Sequence, residues 1–176
     1  NNEKKIRKAK ETMEIYAPLA ERMGMNTIRD ELEDLSFSVL NKPARDLIIK
    51  RLQFIKNNKE DTFKSISTEL IELLNKNGVE ATITGREKTP FSIWRKIQNK
   101  KVSLEQLTDI IGFRIIVKTV EDCYKTLGIF HSKFPTIPGR FKDYISTPKI
   151  NKYQSIHSAV IGPRKNRIEI QIRTFE

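Results

Sequence analysis

The spacing of apolar residues changes at Val79, and that change constrains the fold more than any other feature of the 176-residue chain. Before it, apolar residues recur at helical intervals: Ile28, Leu32, Leu35 and Val39; Leu47, Ile48, Leu52 and Ile55; then Phe63, Ile66, Leu70, Leu73 and Leu74. Pro43 separates the first two helices, and Asn77-Gly78 stops the third stripe. Residues 3–23 also read as helix, bent near Pro18 and broken at Gly24. From there Val79, Ala81 and Ile83 alternate with Glu80, Thr82 and Thr84, the period of a half-buried strand. Further strands are predicted at 110–117, 155–161 and 168–174, with helices at 91–97 and 120–134. A loop fills 135–148, and a turn around Gly162-Pro163 joins the last two strands. Helices followed by a β-α-β-α-β-β order predict an α/β (α+β) chain. A helical segment over 1–78 precedes a core over 79–176 built on a mixed sheet.

Charge divides the chain at nearly the same place. Of the net +11, residues 1–10 carry +4, residues 11–85 carry −3 and residues 86–176 carry +10. The basic residues are interleaved with apolar ones, so they project from folded elements and not from a disordered nucleic-acid tail. Such an excess points to partners that carry phosphate. With 38% hydrophobic residues the chain can fill one ordinary core. No apolar run reaches the roughly 18 residues that a membrane helix needs, so no membrane partner is expected. The single cysteine, Cys123, excludes a disulfide framework and a cysteine-based zinc site, and fits a reducing, cytoplasmic setting. The chain opens on Asn1 and not on Met, as a piece of a longer chain does.

Within the second half, the last strand is the most informative. Ile168, Ile170 and Ile172 point to one face and Glu169, Gln171 and Arg173 to the other. On an edge strand such a polar face is simply solvated; beside a second carboxylate it is a platform for a metal and a polar substrate. Asp109, ahead of the 110–117 strand, is either that carboxylate or a cap or turn residue. Two carboxylates at neighbouring strand ends suit Mg²⁺, which takes oxygen ligands and shares them with substrate phosphates. His131 and His157 stand apart from each other and from Cys123, so no zinc set forms, and His131 reads as structural.

Gly85-Arg86-Glu87-Lys88, followed by Ser92, Arg95 and Lys96, gathers cations and a hydroxyl near a helix N-terminus. This suits a triphosphate, a solvated helix face being the alternative. No Gly-x-x-x-x-Gly-Lys run is present, so the chain carries no P-loop. In the polar stretch 140–157, Tyr153 could stack on a base that Asn151 and His157 hydrogen-bond, while Lys142, Lys149 and Lys152 meet phosphates. The alternative is an exposed loop with incidental aromatics, but long ordered loops are commonly functional.

Five motifs occur in order: Gly85-Arg86-x-Lys88; Asp109-Ile110-Ile111-Gly112-Phe113-Arg114; Pro138-Gly139-Arg140-Phe141-Lys142-Asp143-Tyr144-Ile145; Tyr153-Gln154-Ser155-Ile156-His157; and Glu169-Ile170-Gln171-Ile172-Arg173-Thr174. Together they closely resemble the synthetase domain of the RelA/SpoT (Rel) alarmone enzymes of the stringent response. The Arg-Phe-Lys-Asp form is similar to the bifunctional members. Ile15 to Ala20 and Glu31 to Leu35 look like the helices that link this family's hydrolase and synthetase domains.

The resemblance implies a nucleotidyltransferase-like fold, a mixed sheet of about five strands flanked by helices. It implies transfer of pyrophosphate from ATP to the 3′-hydroxyl of GDP or GTP, a GTP/GDP pyrophosphokinase reaction giving AMP and (p)ppGpp. Carried over by motif position, Asp109 and Glu169 are catalytic and hold Mg²⁺, with Mn²⁺ as an alternative, and Glu169 deprotonates the attacking hydroxyl. Arg86 stacks on adenine, Lys88, Ser92 and Lys96 hold the ATP phosphates, and Arg114 lies on the ATP side. Tyr153 stacks on guanine with Asn151 and His157 beside it. Arg140, Lys142, Lys149, Gln171 and Arg173 complete the GDP/GTP side. No nucleic acid is required, and self-association into a homo-oligomer stays open.

Three departures stand out. Lys152 occupies a place where the family usually has Gly, and would be strained if the backbone there needs positive φ. Glu121-Asp122 falls where some members place a second adenine-stacking Arg. No His-Asp pair is present, so the family's metal-dependent hydrolase activity is not expected of this chain. The competing reading is a catalytically idle nucleotide-, RNA- or ribosome-binding module on the same fold, which predicts salt-sensitive RNA binding without turnover.

Overall fold

The computed structural model describes residues 1–175; Glu176, the last residue of the expected core, lies outside them. Two compact units interleave along the chain. The first takes residues 1–56, 88–108 and 150–152, the second residues 57–87, 109–149 and 153 onward.

The first unit is helical. Helix α1 (Asn2–Glu11) runs through a π-helical turn at Thr12–Tyr16 into α2 (Ala17–Arg22). Pro18 has no N–H to give the turn before it, and the wider turn absorbs that mismatch where a bend was expected. Gly24 takes φ +75° and ends the run, as expected. Helix α3 (Asn26–Leu40) follows, then α4 (Lys42–Lys76), separated from it just before Pro43; residues 42–56 of α4 belong to this unit and residues 57–76 to the second. The stripes around Leu52 and Leu70 lie on this one 35-residue helix, because the polar residues 57–62 between them include no Gly or Pro. Helix α5 (Pro90–Lys100) and the short α6 (Leu104–Thr108) complete the unit. At five residues α6 shows less than two turns of periodicity, and the signal for it is local: in a capping box the Gln106 N–H donates to the Ser103 hydroxyl and the Ser103 N–H to Gln106 Oε1. Phe37, Ile48, Ile93 and Leu107 form the unit's core. Phe37 meets Phe91 edge-on at 5.5 Å and Trp94 at 6.0 Å between ring centroids.

The second unit is an α/β body. Strands β1 (Ala81–Gly85), β2 (Ile111–Val117), β3 (Lys142–Asp143), β4 (Ile156–Ile161) and β5 (Arg167–Thr174) form one sheet in the order β1-β2-β5-β4-β3. The β2–β5 pair is parallel and the other pairs are antiparallel, so the sheet is mixed. Helix α7 (Val120–Lys133) follows β2, and Thr119 caps its start by accepting from the Asp122 N–H. One face of the sheet buries Phe113, Ile115, Val117, Ile156, Val160, Ile168, Ile170 and Ile172. They pack with Ile66, Leu70 and Leu74 of α4 and with Cys123 and Phe130 of α7. Phe63 stacks on Phe113 at 4.8 Å. Strand β3 sits inside the stretch that reads as a loop, its two residues too few to show alternation. Strand β5 is the middle strand and not an edge, so the solvated-edge reading of its polar face does not apply.

Candidate active site

Side chains alternate along a strand, so the face opposite the core is fixed by the register. One row across all five strands carries Thr84, Arg114, Gln171, His157 and Lys142. In the next row Glu169 lies between Gly112 on β2 and Ala159 on β4, two residues that leave it room. The chain leaving β1 continues this row, because the Arg86 N–H donates to the Gly112 carbonyl. A Cβ on Gly112 would stand 3.2 Å from the Arg86 carbonyl oxygen and 3.3 Å from its Cβ, so any side chain there would press Arg86 back by a few tenths of an ångström. Across that gap an Arg86 guanidinium nitrogen stands 3.8 Å from Glu169 Oε2. Arg140, from the loop before β3, reaches Glu169 Oε1 at 3.2 Å. The carboxylate is 15% exposed and faces two guanidiniums, a site built for negative charge in exchange.

Asp109 lies two residues ahead of β2, at the end where the parallel strand β5 also begins. Its carboxylate is more open and stands 3.8 Å from Lys59 Nζ. Both carboxylates therefore come from the start of adjacent parallel strands. Their donors are oxygens only, and among the described residues no three metal-ligating side chains gather. Carboxylate oxygens are the donors that a hard divalent cation takes, together with water and phosphate oxygens.

Beside Glu169 on β5, Gln171 Nε2 donates to the Tyr153 hydroxyl at 2.6 Å and lies 3.0 Å from His157 Nε2. The Tyr153 hydroxyl and His157 Nε2 are 2.9 Å apart, so the three groups close a triangle. Tyr144 packs edge-on against His157 at 5.2 Å and Tyr153 at 6.1 Å. Lys149 Nζ stands 4.8 Å from the Tyr144 ring centre and 5.2 Å from that of Tyr153, and the Arg173 guanidinium is 5.8 Å from the latter. Arg114, Arg140, Lys142 and Lys149 are exposed on this unit. An aromatic ring ringed by cations suits a base and its phosphates.

The remaining expected site residues belong to the first unit. Lys88 Nζ donates to the Leu107 carbonyl at 2.9 Å. Ser92 opens α5, where its N–H is capped by the Thr89 hydroxyl and its own hydroxyl donates to the Thr89 carbonyl. Lys96 follows Ser92 one turn later, on the same helix face. Asn151 Nδ2 donates to the Glu21 carbonyl at 3.1 Å.

The departures acquire a structural meaning. Lys152 holds φ +62°, the left-handed region that favours glycine. Glu121 and Asp122 occupy the first turn of α7, where acidic side chains complement the helix dipole. His131 is structural, its Nε2 lying 2.7 Å from the buried Ser158 hydroxyl. Burial pushes the Cys123 thiol up to about 11, leaving it protonated and unreactive. Two groups at the site were not singled out from sequence: Tyr144, and the carboxylate of Asp143. An Asp ahead of a turn is the signal that could have found the second.

A five-stranded mixed sheet flanked by helices, with a polar face carrying a recessed carboxylate, makes this a mixed α/β fold. Residues 85–176 match the family described as the region found in RelA / SpoT proteins, and the chain belongs to that family. It is 50% identical over 174 residues to the GTP pyrophosphokinase rsh of Brucella melitensis, covering 99% of this chain and 23% of that protein. It is 46% identical to the GTP pyrophosphokinase of Streptomyces antibioticus, over 99% of this chain and 21% of that one. To the guanosine-3′,5′-bis(diphosphate) 3′-pyrophosphohydrolase of Aquifex aeolicus it is also 46% identical, over 99% of this chain and 25% of that protein. The chain thus spans a quarter or less of the length of these relatives. Among solved structures it is similar to the small alarmone synthetase 1 of Bacillus subtilis bound to its product pppGpp, with a TM-score of 0.54 and 24% identity. That likeness covers 72% of this chain and 73% of that one, and bears on the fold. No helix among the described residues is long and apolar enough to cross a membrane.

Proposed function

We propose that the chain is a (p)ppGpp synthetase, transferring pyrophosphate from ATP to the 3′-hydroxyl of GDP or GTP and releasing AMP. Residues 79–176 are the synthetase core and residues 1–78 its helical lead-in. The observation that carries this reading is Glu169, set between Gly112 and Ala159 and faced by Arg86 and Arg140, on the same sheet face as the Tyr153–His157–Gln171 triangle. The names of relatives half identical to this chain supply its reaction class.

In this reading Glu169 accepts the proton of the 3′-hydroxyl as its oxygen attacks the β-phosphorus of ATP. The new O–P bond forms as the bond from that phosphorus to the α,β-bridging oxygen breaks, and the electron pair leaves on AMP. Transfer of this kind asks the protein mainly for positioning and for charge around the moving group. Arg86 and Arg114 serve the ATP side, with Arg86 on adenine. By motif position Lys88, Ser92 and Lys96 hold its phosphates. Tyr153 stacks on guanine with His157 and Asn151, and Arg140, Lys142, Lys149, Gln171 and Arg173 take the remaining polar groups. Asp109 and Glu169 would hold Mg²⁺, or Mn²⁺ in its place, which when bound neutralises phosphate charge and orients the triphosphate. ATP and guanine nucleotides are cytoplasmic, and there we place the reaction.

The test separates binding from turnover. Glu169→Gln is expected to bind GDP within a few-fold of the wild type while losing turnover by about 100-fold or more, the usual range for a missing general base. A Glu169→Gln variant that turns over at the wild-type rate would refute the assignment.

A further inference from the structure

Asp143 has no role in the reading above, yet its carboxylate is the most heavily engaged group of the loop that carries Lys142 and Tyr144. Oδ1 accepts from the Ile145 N–H at 2.9 Å and the Ser146 N–H at 3.0 Å, closing a turn directly after β3. Oδ2 accepts from the Tyr124 hydroxyl of α7 at 2.9 Å. The backbone on either side is tied to β4: Lys142 pairs with His157, Asp143 with Ile156, and the Tyr144 N–H donates to the Ser155 carbonyl. Through that turn the chain presents the Tyr144 ring to both His157 and Tyr153.

We infer that Asp143, anchored by Tyr124, is a positioning residue for the guanine nucleotide: it acts through Lys142 and Tyr144 on the Tyr153–His157 pair and touches no ligand itself. The inference rests on the guanine-binding reading of that pair. Burial alone would push the Asp143 carboxyl up. The Ser146 amide, the Tyr124 hydroxyl, the Ser146 hydroxyl and the Ile145 amide outweigh it and hold the carboxyl below its ordinary value, so at neutral pH it is a full acceptor for these donors. Burial and the neighbouring Asp143 charge raise the Tyr124 hydroxyl, which therefore stays protonated and able to donate.

The experiment titrates the whole chain with fluorescent analogues of GDP and of ATP, and records melting temperatures. Asp143→Ala is expected to weaken GDP binding about tenfold and Tyr124→Phe about threefold, a part only of the hydrogen bonds lost, because Asp143 reaches the nucleotide through its neighbours. ATP affinity and melting temperature should stay close to the wild type. Asp143→Asn keeps the Oδ1 acceptor for both amides and should recover most of the GDP affinity. Unchanged GDP affinity in Asp143→Ala and Tyr124→Phe overturns the inference. So does a parallel loss of GDP affinity, ATP affinity and melting temperature, which marks a merely structural residue. A wild type that binds no guanine nucleotide overturns the underlying reading instead, and the wild-type titration alone reveals it.

Discussion

Lys152 holds φ at +62° between Asn151, tied to the Glu21 carbonyl, and Tyr153, whose carbonyl accepts from the Lys149 N–H. A lysine in the left-handed region costs on the order of 1 kcal/mol relative to glycine, part of which glycine returns through its freer unfolded chain. Lys152→Gly is therefore expected to raise the unfolding free energy by about 0.5 kcal/mol in urea titrations; a loss would show that the lysine side chain makes a contact worth more than the strain. The sequence raised this question at the correct residue and could not answer it, because backbone dihedrals are not written in residue identity. Glu33 is a second residue-scale case. Burial raises its carboxyl above the ordinary value, and the nearby Arg95 and Arg29 only partly counter this. A group raised in the folded state contributes stability below its unfolded value, and loses it as pH rises through the folded one. The stability difference between Glu33→Gln and the wild type should thus grow in the variant's favour from pH 4 to pH 8, read as urea midpoints across that range; a difference that is flat or shrinks contradicts the burial account.

Elements were legible where their period was long enough to read. Strands β2, β4 and β5 and helices α3, α5 and α7 lie where alternation or helical spacing predicts them, because each runs over six residues or more. Two stripes joined into α4, since a polar interval without Gly or Pro is no barrier to a helix. The two-residue β3 was invisible, held as it is by pairing with β4, whereas the five-residue α6 is marked not by its period but by the local Ser103–Gln106 capping box. Helix α5 owes its start to local chemistry: Thr89 accepts from the Ser92 N–H, with Pro90 in the first turn. Thr89→Ala should cost about 1 kcal/mol of stability, and Thr89→Ser should restore most of it. Equal stability of all three proteins would mean that tertiary packing and not the cap fixes this helix end.

At the scale of the molecule, the charge excess after residue 85 led toward phosphate, and the motif order led to the family. Much of the site was readable because β-strand alternation and residue chemistry act together: Glu169, Gln171 and Arg173 could only share a face. The pairing of Glu169 with Arg140 was not readable, since it depends on a loop whose path no local rule dictates. Nor was the role of Gly112, which became apparent only from the atoms a Cβ there would meet. A polar sheet face of this kind can hold nucleotides without catalysing anything, so binding alone does not decide the central claim. The deciding measurement incubates ATP, labelled in its β- or γ-phosphoryl group, with GDP and Mg²⁺ and the wild-type chain, and resolves the nucleotides formed. The account predicts that label from either position moves to one product, guanosine 3′,5′-bis(diphosphate), with AMP released in equal amount. Label recovered only in ATP, or as orthophosphate alongside ADP, would contradict it.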